Sequence, residues 1–150
     1  MSAFDLELEF LLGKLNTLNT QSKPQWGQMS AQRMVEHLAD ALYMSVGQGE
    51  YQLEVPEDRI ERMQAWLETD KPMAQNFQVS FASPDTPLRN DELETAIDEF
   101  TDAFLLFSEY YEEHPSQTHL HPFYGKLNAA QWQRLHTKHF SHHFEQFGLL

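Results

Sequence analysis

Four stretches of this chain place apolar residues at the helical period. Between them lie prolines, glycines and polar runs that no helix crosses. In the first, about Ala3 to Leu18, Phe4, Leu8, Leu11, Leu12, Leu15 and Leu18 form one stripe, with Ser2 as an N-cap candidate. The second opens at Ser30, where Met29 and Met34 stand at the positions of a hydrophobic staple, and continues through Leu38, Ala41 and Leu42 to a stop at Gly47. The third starts near Asn90 or Asp91, with Asp91 and Glu94 in capping-box spacing. It carries Leu93, Ile97, Phe100, Phe104, Phe107 and Tyr111, and ends at Pro115. The fourth starts at Asn128, with Gln131 completing a capping box and Leu127 and Trp132 a staple, and stops at Gly148. Amphipathic helices must bury their stripes against one another. The expected fold is therefore an all-α, antiparallel four-helix bundle made by one domain over residues 1–150.

The segment between the second and third stretches, residues 48–90, is broken by Pro56, Pro72, Pro84 and Pro87. Glu57 to Thr69 can form a short helix, and Phe77 to Phe81 alternates like a strand. The segment reads as a long, partly ordered connection packed across the bundle, and its length allows a crossover between the second and third helices.

Composition excludes several kinds of chemistry. The chain of 150 residues has no cysteine, so disulfide frameworks, thiolate nucleophiles and iron–sulfur clusters are out. Its net charge of −13 argues against nucleic acid and anionic membrane as partners. No run approaches the ~20 apolar residues of a membrane span, and the N-terminus lacks the features of a signal peptide; a cytoplasmic location is expected. The acid is uneven: from Thr118 onward Lys126, Arg134 and Lys138 face Glu145 alone.

That last segment is rich in histidine. His136, His139, His142 and His143 fall within eight positions. On a helix His139 and His143 are ~40° apart and converge on one point, while His136 and His142 lie ~60° to either side of His139. His37, three residues after Met34 and four before Ala41, points inward from the second helix. Three neutral imidazoles, His37, His139 and His143, form a metal site with at least one open position, suited to zinc or nickel before iron, cobalt or manganese. His136, one turn before the pair, is an outer-shell base, a ligand-contacting group or a surface residue. His142 is expected to face solvent or pack near Tyr or Glu side chains. His119 and His121 form a His-x-His before the fourth helix, read as part of a structural loop. Asp40, one turn from His37, either orients that imidazole or is solvent-exposed. There is no Glu-x-x-His, no His-Glu-x-x-His and no phosphate loop.

Three segments carry a resemblance to a known group: Trp26-Gly27-Gln28-Met29-Ser30-Ala31-Gln32-Arg33-Met34-Val35-Glu36-His37-Leu38, His121-Pro122-Phe123-Tyr124-Gly125-Lys126-Leu127, and Lys138-His139 through His142-His143 to Gln146-Phe147. The chain resembles the DinB-like (damage-inducible) superfamily of metal-binding four-helix bundles, in an uncharacterised branch. The resemblance implies a metal held by one histidine of the second helix and a His-x-x-x-His of the fourth, here His37, His139 and His143. It also implies a long crossover between helices two and three. Relatives include thiol transferases and suspected hydrolases, so a metal-dependent enzyme acting on a small molecule or thiol is one expectation. A non-catalytic metal-binding or homodimerising bundle is the other.

Overall fold

The computed structural model describes residues 4–75, 79 and 81–150. Within them the chain is an all-α bundle with one small hairpin. The order is α1 (Leu8–Leu15), α2 (Ala31–Ser45), α3 (Ile60–Leu67), α4 (Leu93–Glu113), β1 (His119–His121), β2 (Gly125–Leu127) and α5 (Ala129–Gln146), with a short 3₁₀ turn at Glu57–Arg59 leading into α3. No helix of the described residues is long and apolar enough to cross a membrane.

The caps fall where the side chains can satisfy free backbone donors. Ser30 accepts from the Arg33 N–H, and Asn128 and Gln131 form the full reciprocal box at the start of α5. The other starts differ from expectation. Helix α1 begins at Leu8, so it is shorter than the apolar stripe, and the Ser2 cap lies outside the described residues. Helix α4 begins after Glu92 without a side-chain cap. Just upstream, Glu36 of α2 accepts the backbone N–H groups of Arg89 (2.7 Å) and Asn90 (3.1 Å) and ties the chain entering α4 to α2.

The core forms where the stripes meet. Leu11 and Leu15 of α1, Met34 and Leu38 of α2, Phe100 of α4 and Phe140 and Phe144 of α5 are fully buried. Phe100 and Phe140 meet edge to face, with centroids 5.6 Å apart. Helix α2 packs closely on α4 and also touches α5.

The crossover is an ordered, packed element for most of its length. Helix α3 forms within the expected Glu57–Thr69 range. Lys138 of α5 donates to the carbonyls of Thr69 and Lys71 and lies over the Trp66 ring at 4.5 Å. Arg134 of α5 donates to the Leu67 carbonyl, and Gln64 donates to the Tyr124 carbonyl of the hairpin. The strand-like alternation expected at Phe77, Gln78 and Ser80 lies outside the described residues.

The hairpin is the element that periodicity did not indicate. Its strands pair antiparallel in the register His119↔Leu127, Leu120↔Lys126 and His121↔Gly125. It docks against the end of α2, where the backbone turns at Gly47 with φ +87°. A Cβ on Gly47 would lie 2.5 Å from the His119 ring, and Nε2 of that ring is held 2.7 Å from the Tyr110 hydroxyl.

Both constraints forbid a side chain at this position. Gly47→Ala is expected to destabilise the fold by about 1–3 kcal/mol, the usual cost of a strained left-handed residue, with overlap adding to it. Urea unfolding of the variant checks this; an unchanged midpoint would show that the hairpin does not depend on the close approach.

Candidate metal centre

His37 stands on the face of α2 that looks across to α5. Two successive turns of α5 return His139 and His143 to meet it. Each of the three offers one ring nitrogen, and these nitrogens lie within 4.8 Å of one another. The His37 and His139 Nε2 atoms are 2.7 Å apart. Metal–nitrogen bonds of about 2.0–2.1 Å put two nitrogens on one ion at most about 4.2 Å apart, so a spread of this size is close to what a single ion requires. The group could therefore hold a metal ion. The rings also stand nearly perpendicular, His37 to His139 at 88° and His37 to His143 at 84°, so their edges converge.

The surroundings keep these imidazoles neutral, which is the form that donates a lone pair. Burial pushes His37 well below the ordinary histidine range, and the neighbouring His143, Arg33 and His142 push it further. Burial acts the same way on His139, helped by His37 and His143. Burial lowers His143 to about 4, against a partial counter-effect from its hydrogen bond to Gln146.

Gln146 falls in the last segment of the resemblance, but nothing in the sequence assigns it a role. Its amide nitrogen donates to the Trp26 carbonyl at 3.0 Å, so its oxygen is the atom 2.7 Å from His143 Nδ1. An amide oxygen only accepts. His143 therefore carries its proton on Nδ1 and leaves the Nε2 lone pair free, the tautomer that a metal ligand needs.

Asp40, the other candidate to orient a ligand, is committed elsewhere. It pairs with Arg89 at 2.8 Å and Arg33 at 3.6 Å. The buried Arg33 also donates to the Ser83 carbonyl, and Glu36 lies buried beneath the Arg89–Asn90 backbone. Burial raises the Glu36 pKa, but the hydrogen bonds it accepts outweigh burial and leave it lowered. This network fastens the end of the crossover to the outer side of α2 next to His37.

The three histidines border a cavity of about 280 Å³. Its walls include Met29, Met44, Tyr51, Trp66, Phe81 and Tyr124. His136 is fully buried in the cavity lining, which removes the surface reading. Its ring stacks between Trp132 and Phe140 and meets the edge of Phe107. His142 also lines the cavity, half-buried against Trp26 and His143 and near the Glu145 carboxylate, which fits the expected packing near a Glu side chain rather than the solvent-facing alternative. The two hairpin histidines part company. His119 bonds Tyr110 at the α4 side, while His121 reaches the cavity and accepts the Phe123 N–H on Nδ1.

The chain matches over residues 5–148 the family described as Protein of unknown function (DUF1569), and it belongs to that family. No curated protein and no solved structure matches it.

Burial holds both His121 and His136 down to about 3, against about 6.5 in an unfolded chain. Between those values the unfolded state binds more protons, so the folded state loses stability as pH falls from about 6.5 toward 3. Each residue contributes a slope on the order of 1 kcal/mol per pH unit in that window. Denaturant unfolding at pH 7, 6 and 5 should show progressive loss, and His136→Phe should remove roughly a fifth of the slope, because His37, His139, His143 and His121 are lowered in the same way. A flat profile would contradict the buried neutral state.

Proposed function

We propose that this chain is a metal-dependent enzyme in which His37, His139 and His143 hold a divalent transition metal, zinc or nickel, beside the cavity. The observation that carries the reading is the meeting of three ring nitrogens at the edge of a cavity of about 280 Å³. Three imidazoles leave at least one coordination position open, as catalytic sites do and closed structural sites do not. A divalent ion there supplies Lewis acidity, which makes a nucleophile from water or a thiol near neutral pH. The reaction types that fit are thiol transfer and hydrolysis, in keeping with the resemblance to DinB-like bundles.

The chain's own residues divide the remaining tasks. Gln146 sets the tautomer of His143 from outside the ligand set. Met44, Trp66 and the hairpin aromatics enclose the reacting region and thin out competing water. His136, held at about 3 by burial and the nearby His121, is too weak a base to take a proton at neutral pH. It serves as a neutral hydrogen-bonding group.

The alternative, a non-catalytic bundle built to dimerise, would be favoured by a plugged site and a contiguous apolar surface. The cavity is present, and the exposed large apolar side chains among the described residues are Leu88, Leu105 and Leu150.

Purified protein is expected to carry or take up one equivalent of zinc or nickel, read by elemental analysis and titration. His37→Ala and His139→Ala should each lose it while melting cooperatively. Stoichiometric metal in both variants would overturn the ligand assignment. Gln146→Leu should keep the fold and weaken metal affinity about 10–100-fold, the usual effect of losing a partner that orients a ligand.

A further inference from the structure

The cavity has an unusual floor about one to two turns before His139 on α5. Trp132 Nε1 and both ring nitrogens of His136 are buried and have no hydrogen-bond partner among the described residues. Trp132 and His136 are themselves 0% exposed, and both line the cavity with His121. Buried polar groups are normally paired, and unpaired donors on two side chains that line one cavity point to an occupant that accepts from them. Both belong to the stripe of α5 that continues into His139 and His143.

We propose that this floor binds the carbonyl oxygen of a small, uncharged, largely aromatic molecule, and that such a molecule is the substrate class of the site. The word substrate rests on the metal-site reading above; the binding does not.

The chemistry of the floor selects the group. The Trp132 indole nitrogen only donates, and a neutral His136 has one donor and one acceptor. His121 spends its Nδ1 lone pair on the Phe123 N–H, so the proton of its neutral ring sits on Nε2 as another donor. Donors outnumber acceptors, which suits an oxygen with two lone pairs and no proton of its own. Charge is excluded on separate grounds. Asp40 is the one formally charged residue among the described lining, and two arginines already pair with it. His121 and His136 stay uncharged at neutral pH, so a carboxylate or ammonium on this floor would be buried without a counter-charge.

The walls and dimensions set the rest of the molecule. Trp66, Phe81, Phe123 and Tyr124 offer flat apolar faces, and Met29, Met44 and Met73 offer deformable ones. The volume lies just under the range of about 300–1,000 Å³ for drug-sized ligands, so the occupant is at the small end. At 1.5 Å per residue, His136 and Trp132 lie about 5 and 10 Å along α5 from His139. A single substituted ring spans that distance, so a carbonyl on the floor leaves the opposite side of the ring facing the histidines.

The test is equilibrium binding to the full, metal-free protein by calorimetry and NMR titration with three probes of one size: acetophenone, ethylbenzene and benzoate. Acetophenone is expected to bind saturably and at least ten-fold more tightly than either of the others. His136→Phe and Trp132→Phe should each erase its advantage over ethylbenzene, and His136→Gln, which keeps a donor and an acceptor, should retain part of it. If His136→Phe does not melt cooperatively, Trp132→Phe carries the comparison. A floor merely satisfied by trapped water would bind ethylbenzene as well as acetophenone, and that result overturns the proposal. So do tighter binding of benzoate, an advantage that survives both substitutions, or no saturable acetophenone binding. Zinc uptake is measured separately on the same preparations, so failure of the carbonyl site and failure of the metal site give different results.

Discussion

An imidazole is expensive to bury charged and awkward to bury neutral, because a neutral ring still carries one donor and one acceptor. This protein places several at its centre. His37, His139 and His143 turn their nitrogens toward one another, while His121 and His136 sit among aromatic rings. The rest of the architecture follows from containing them. Apolar rings of α4 and α5 and the hairpin pack around the group, and the ion-pair network of Arg33, Asp40, Arg89 and Glu99 runs beside it from α2 to the start of α4. Charge that is buried, on Arg33 and Glu36, is paired or hydrogen-bonded, and the imidazoles at the centre stay neutral.

Much of this was legible along the chain because local physics wrote it there. The stripes of α2, α4 and α5 follow the helical period. Ser30 and Asn128 advertise their helix starts. The four-residue spacing of His139 and His143 can mean convergence only on a helix. His37 joined them because Met34, Leu38 and Ala41 defined the inner face. Asp91 and Glu94 looked equally like a box, yet Glu36, more than fifty residues earlier, takes the backbone donors just upstream. The helix starts after Glu92 without that box, and the buried carboxylate that holds the chain leading into it is one no local reading could place.

Other features were invisible for identifiable reasons. Strands of three residues, His119–His121 and Gly125–Leu127, are too short to show a period of two. The wheel put His136 and His142 symmetrically about His139, but the aromatic surroundings differ: one is sealed between Trp132 and Phe140, the other rests near Trp26. Gln146 stands in a segment that carries the family resemblance, yet no spacing there assigns it a role. Its part in the site depends on the Trp26 carbonyl, which only the folded chain brings to it.

The pairing of His37 with His139 spans 102 residues. An ion bridging them would act on the polymer as a cross-link between the second and last helices, with every intervening element inside the loop. Closing a ring of that size is among the larger entropic constraints an unfolded chain can carry. Occupancy would therefore be felt far from the cavity, in α3, in α4 and in the hairpin, none of which supplies a ligand. The cation would set how much of the chain unfolds together.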